Sequence, residues 1–158
     1  MSLLRAHGVG QVVDVRTVPR SRHNPQFNKD TLGKHLRARR INYRHMKELG
    51  GLRRARKDSA LNAGWRNASF RGYADYMQTD EFAAGLTKLI GIAAKKPTAI
   101  MCAEAVPWRC HRSMIADALT AQGFAVRHIM SPTNARIHKL NPMAKIRGAR
   151  VIYPFEGG

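Results

Sequence analysis

Residues 98–119 read as a strand, a polar turn and a helix in immediate succession, and that order constrains the fold more than any other feature of the chain. Thr98-Ala-Ile-Met-Cys102 is short, apolar and bounded by Lys96-Pro97, the pattern of a buried strand. Met114, Ile115, Ala118 and Leu119 then recur at helical spacing as far as Gly123, a C′ stop. Between them lies Cys102-Ala-Glu104-Ala-Val-Pro107-Trp108-Arg109-Cys110-His111-Arg112-Ser113, which gathers two thiols, a carboxylate, an imidazole and two guanidiniums. A strand that feeds a helix through such a turn belongs to a parallel α/β sheet. Ligands of these sheets bind at the carboxyl edge, where the helix start offers N–H groups and a positive dipole end to an anion.

The rest of the chain fits that frame. Gln11-Val-Val-Asp14-Val15 is a second apolar strand, with Asp14 interrupting the run near its end. Leu32 and Leu36 mark a helix from Asp30 to Arg40, with Asn28 as its candidate cap, and Ile41 to Met46 follows as a strand. Phe70, Tyr73 and Met77, then Phe82, Leu86, Leu89 and Ile90, mark two more helices, the second opening with Asp80-Glu81 to complement its dipole. Phe124 to Met130 is the next strand. The expected fold is a single α/β domain over residues 1–158: a mostly parallel sheet of about four to five strands with helices on both faces, a Rossmann-like three-layer arrangement. Residues 49–69 form a long basic loop, either a functional lid or a mobile connection. Residues 131–158 form a basic C-terminal extension or hairpin. Leu3 and Leu4 up to His7-Gly8 read as the last turns of a helix, so a preceding strand and helix start are expected upstream of this chain.

Charge is the compositional outlier. The 158 residues carry 28 Lys+Arg against 10 Asp+Glu, a formal net charge of +18. Such an excess favours nucleic acid, a nucleotide or another polyanion as partner, because each neutralised phosphate releases counterions, although a surface that merely tolerates charge reads the same way. No run of about 18 apolar residues and no signal-peptide core is present, so a cytoplasmic protein with no membrane partner is expected. Two cysteines are too few for a disulfide framework.

Each candidate residue has a chemical and a structural reading. Cys102, on its strand, is a nucleophile or a small core residue. Cys110, beside Arg109, His111 and Arg112, would have its thiolate favoured electrostatically. Glu104 is a general acid or base, or a strut paired with Arg109 or Arg112. Asp14 is its acid/base companion at the sheet edge, or a buried partner of Arg112 or Arg16. His111 is catalytic or a capping residue. Arg16, Arg20, Ser21, Arg71 and Arg112 are anion contacts, or members of a solvated face. Trp108 stacks on a base or simply packs. Cys102, Glu104, Cys110 and His111 include metal donors, but their spacing matches no closed zinc pattern, so neither metal nor cofactor is expected.

Several of these stretches carry a family resemblance. Val13-Asp14-Val15-Arg16-x-x-Pro19-x-Ser21 with Asn24-Pro25-x-Phe27, Leu49-Gly50-Gly51, Phe70-Arg71-Gly72-Tyr73-Ala74-Asp75-Tyr76-Met77 and Met101-Cys102-Ala103-Glu104-x5-Cys110-His111-Arg112 closely resemble the domain of unknown function 488 family. The resemblance implies an α/β domain of bacterial and archaeal cytoplasmic proteins and no settled activity. Members typically begin with a strand similar to Thr-Ile-Gly-His-Ser and a helix, of which only the helix end is expected here. A weaker likeness is to rhodanese domains, similar in Asp14-Val-Arg16, Cys102, Arg112-Ser113 and Gly123-Phe124. There the nine residues between Cys102 and Arg112 exceed the four to six or so that a cradle of convergent N–H groups needs. The expected function is an enzyme acting on a nucleotide, nucleic acid or other phosphate-bearing substrate through the Cys-x-Glu-x5-Cys-His-Arg turn. The alternatives are a basic nucleic-acid-binding module in which that turn is structural, and a rhodanese-like sulfur-handling protein.

Overall fold

The structure, a computed structural model, describes residues 4, 6–16, 29–51, 61–102 and 111–155. In chain order the elements are β1 (Gln11–Asp14), α1 (Lys29–Ala38), β2 (Asn42–His45), a 3-10 turn (Lys47–Leu49), α2 (Ala68–Tyr76), α3 (Asp80–Ala93), β3 (Thr98–Met101), α4 (Arg112–Ala121), β4 (Arg127–Ser131), β5 (Asn134–Ile137), β6 (Lys145–Arg147) and β7 (Arg150–Ile152).

β1 lies at the centre of a parallel sheet in the order β2-β1-β3, with Asp14 opposite His45 on one side and Met101 on the other. Successive side chains point to opposite faces, so β1 builds two cores. Val12 packs with Leu32, Leu36 and Ile41 under α1. Val13 and Val15 pack on the other face with Tyr73, Phe82, Leu86, Met114, Ile115 and Leu119 from α2, α3 and α4. Helices therefore cover both faces, as the alternation of helical and apolar-strand segments requires.

Local signals set the ends of these elements. Asn67 caps α2 by accepting from Ser69 and Phe70 N–H, and Thr79 caps α3 by accepting from Phe82 N–H. α1 closes with Arg40 at φ 60° while Ile41 N–H reaches back to Leu36 O at 2.9 Å. The expected stop after α4 is Gly123, at φ 92°. Near the start of the chain, His7 and Val9 N–H both bond Leu4 O, with Gly8 at φ 68°, the helix-closing turn expected there.

The expected sheet of four to five strands is corrected. Among the described residues three strands form the parallel sheet, and the strand read at Phe124–Met130 pairs elsewhere: β4 and β5 form one antiparallel pair and β6 and β7 another. A parallel strand buried on both faces needs a continuous apolar run, whereas Arg127-His-Ile-Met-Ser131 has only two apolar residues between polar ends. Only Pro132 and Thr133 separate β4 from β5, too short for anything but an antiparallel return. The basic C-terminal segment is thus built of hairpins. Val151 and Tyr153 anchor it in the main core, and Asn62, fully buried, ties it down by accepting from Tyr153 N–H and donating to Asp75. No helix among the described residues is long and apolar enough to cross a membrane.

Candidate functional site

At the carboxyl end of β1 the interrupting aspartate is fully consumed. Asp14, 0% exposed, accepts from Arg16 backbone N–H (3.0 Å), Arg16 Nε (2.9 Å) and Arg16 Nη2 (2.7 Å), and from Tyr43 OH (2.5 Å). Of the two partners expected for Asp14, Arg16 is the one bonded to it. Burial opposes charge on Arg16, but the hydrogen bonds and charge of Asp14 outweigh it and raise its proton affinity. Burial, then Asp14, pushes the Tyr43 hydroxyl up as well. His45 Nε2 lies 2.6 Å from Arg16 O and fixes the chain as it leaves the strand.

His111 is where the separate motifs meet. Its Nε2 lies 3.0 Å from Val15 O, and its ring packs on Tyr73 with centroids 4.8 Å apart. Gly51 leaves room for that ring, since a Cβ there would stand 2.8 Å from His111 Nδ1. Tyr73 OH in turn donates to Leu49 O at 2.9 Å, and Tyr76 OH to Glu48 O at 2.5 Å. The Asp-Val-Arg strand, the Leu49-Gly-Gly turn, the Tyr73 helix and His111 at the start of α4 therefore converge at one end of the sheet. His111 stands at the N-cap position of α4 but makes no side-chain cap bond there.

The other expected site residues divide as follows. Arg20, Ser21, Glu104, Trp108 and Cys110 lie outside the described residues. Cys102, at the end of β3, is disulfide-bonded rather than a free thiol, so any nucleophilic role for its sulfur begins with reduction. Arg71 donates weakly to Trp65 O, at 3.4 Å. Arg112 opens α4 half-buried, and burial lowers its proton affinity. Among the described residues there is no group of three or more His, Cys, Asp and Glu that would hold a metal ion.

A second polar cluster was not anticipated from the sequence. Asp117, buried in α4, bonds His138 Nε2 at 2.7 Å, Asn141 N–H at 3.1 Å and, through its other oxygen, Tyr153 OH at 2.7 Å. His138 Nδ1 lies 2.7 Å from His128 Nε2, which makes a continuous Asp117–His138–His128 relay. Burial lowers the proton affinity of His128, and the charges of His138 and Arg112 lower it further, against the opposing pull of Asp117. Burial and Asp117 push the Tyr153 hydroxyl up. The signal available in the sequence was Asp117 itself, a carboxylate inside the buried run Met114–Leu119. The two histidines, ten residues apart on hairpin strands that had not been paired, gave none.

His128 and His138 line an open cleft of about 670 Å³ that runs from Ser113 at the start of α4 along the β4–β5 hairpin. A family model, Domain of unknown function DUF488, matches residues 1–119. No match to the chain was found among curated proteins or among solved structures. The matched stretch contains the whole parallel sheet and the His111 junction, while β4–β7 and both relay histidines follow it.

Proposed function

The chain belongs to the DUF488 family, and from that premise we propose that it is a cytoplasmic nucleic-acid-binding protein whose contact face is the pair of C-terminal hairpins. The observation that carries this reading is the segregation of charge. Asp14, Asp75 and Asp117 are buried and bonded inside. Residues 124–155 hold Arg127, Arg136, Lys139, Lys145, Arg147 and Arg150, all exposed, and no Asp or Glu. The surface is thus more positive than the net charge alone implies, and residues 124–155 supply no carboxylate of their own, while among the described residues exposed Asp80 contacts Arg150 at 3.1 Å. Fluorescence anisotropy with a labelled oligonucleotide tests the reading. Binding at about 50 mM salt should weaken steeply as salt rises, with a log–log slope of about −4.5 if the five cations other than Arg150, which Asp80 already pairs, engage duplex phosphates. Absence of binding at that salt, or binding indifferent to salt, overturns it.

A second reading, turnover of a phosphate-bearing substrate at the Cys102–Ser113 turn, is favoured by Arg112. This cation is half-buried at a helix start on the carboxyl side of the sheet, where it would meet an anion already partly desolvated. In that reading Glu104 serves as the acid/base group and Cys110, or Cys102 once reduced, as nucleophile, with His111 in support, while Asp14 is occupied in holding Arg16 and Tyr43. Glu104→Gln and Arg112→Lys should then abolish turnover of a nucleotide substrate while leaving the melt cooperative. Retained turnover in both variants excludes it.

A further inference from the structure

We propose that the cleft between α4 and the β4–β5 hairpin binds a doubly charged phosphate group, a phosphate monoester or free phosphate, held between His128 and Arg136. This goes beyond the basic-face reading, which needs only the singly charged phosphates along a strand. His128 and Arg136 are direct partners in the β4–β5 register, so their side chains leave the same face of the hairpin with Cβ atoms about 5 Å apart. His138, two residues on from Arg136, shares that face, and its N–H bond to Val126 O continues the ladder. His138 is bonded to Asp117, so this face looks onto α4, where Ser113 stands one turn before Asp117. Ser113, His128, Arg136 and His138 all line the cleft. Arg127 and Ile137, also opposite one another, leave the other face of the hairpin. Among the described residues the exposed Arg136 guanidinium makes no hydrogen bond or ion pair, and the His128 ring bonds through Nε2 alone. Asp117, the carboxylate that joins this face, has both oxygens engaged by His138, Asn141 N–H and Tyr153 OH, so it does not compete with an anion for Arg136.

The relay couples that site to a proton. Asp117 accepts from His138 Nε2–H, which leaves His138 Nδ1 to accept from His128 Nε2–H. His128 Nδ1 is then bare, and a bare nitrogen repels a phosphate oxygen. One added proton reverses this wherever it sits. On His128 it fills Nδ1; on His138 it turns the bond between the two rings round and moves the His128 proton to Nδ1. Either way an Nδ1–H donates to the anion beside Arg136. Without an anion that proton is disfavoured on His128, by burial first and then by the charges of His138 and Arg112, with Asp117 opposing. A dianion between His128 and Arg136 offsets those like charges, so binding and proton uptake reinforce each other. A diester phosphate brings one negative charge and a monoester at neutral pH about two, and the second matches a protonated His128 alongside Arg136.

The test follows the ring nitrogen resonances of His128 through a pH series in wild-type protein, with inorganic phosphate and with sodium chloride at equal ionic strength. Phosphate should raise the midpoint of His128 and leave that of His35, exposed on α1, in place. No variant has to fold for this measurement. In parallel, 3′-labelled octathymidylate carrying a 5′-phosphate is compared with its 5′-hydroxyl form by anisotropy at about 50 mM salt. The 5′-phosphate should tighten binding roughly tenfold, the worth of one charge-assisted hydrogen bond. Arg136→Gln, at an exposed position, should weaken both oligomers by the loss of one face contact and remove the difference between them. A His128 response together with that difference assigns the cleft to a strand end, and a His128 response without it assigns the cleft to free phosphate. A His128 midpoint that phosphate does not move overturns the site, and so does a 5′-phosphate effect that survives Arg136→Gln. Salt-sensitive binding of the 5′-hydroxyl oligomer decides the basic-face reading separately, whatever His128 does.

Discussion

Asp117 does more structural work than any other carboxylate described in the C-terminal half. Its oxygens serve an imidazole, a backbone N–H and a buried phenol, so Asp117→Asn leaves donors facing donors in the core. The expected loss is about 3 kcal/mol, near that of breaking a buried pair, against about 1 kcal/mol for Tyr153→Phe, both read from urea melts. A loss for Asp117→Asn as small as that for Tyr153→Phe would show that the network adds little. His128 supplies a pH dependence whose sign can be worked out. Its proton affinity is lowered by burial first, then by His138 and Arg112, with Asp117 opposing. The unfolded chain takes up this proton near pH 6.5, the folded chain only at lower pH. The contribution to stability is therefore complete above pH 6.5 and declines as pH falls below it, until the folded imidazole also protonates. His128→Gln should lose less stability than wild type between about pH 7.5 and pH 5.5. Parallel slopes for the two proteins would dismiss His128 as the source.

At the scale of elements, two backbone positions are open to direct test. Gly51 lies against the His111 ring, and the 2.8 Å approach of a Cβ to Nδ1 means that Gly51→Ala must displace either the turn or the imidazole. The cost is expected at about 1–3 kcal/mol in thermal unfolding, as for overpacking a well-filled site. A neutral effect would show that His111 is not held there. Arg40 ends α1 at φ 60°, a left-handed position that an L side chain occupies at a cost of about 1–2 kcal/mol. Arg40→Gly should therefore raise stability by about 1 kcal/mol. A substitution that instead destabilises would mean that the Arg40 side chain contributes more than its backbone costs. The hairpins follow from the same local logic, because β4 and β5 are short, mixed in polarity and separated by two residues, and so pair with each other rather than extend the buried parallel sheet.

For the whole molecule, the distribution of charge matters more than its sum. Arg127→Gln with Arg147→Gln should reduce the magnitude of the salt slope of oligonucleotide binding by about 2, because two phosphate contacts are removed. An unchanged slope would move the contact face away from the hairpins. The parallel core was legible because its signals are local: Val13 and Val15 beside an apolar β3, Leu32 and Leu36 four apart, and Gly123 after the last periodic residue all act within a few positions of the chain. The helix from Arg112 onward was legible for the same reason. What the sequence could not say was which residues from distant motifs would touch. The choice of Arg16 for Asp14, the seat of His111 between Val15, Gly51 and Tyr73, and the assembly of Asp117 with His128 and His138 depend on strand order, hairpin register and the docking of Tyr153. Periodicity fixes which face of an element is apolar. Only the packing of elements against one another determines which buried polar group finds a partner, because that partner arrives from a part of the chain with no local trace of the contact.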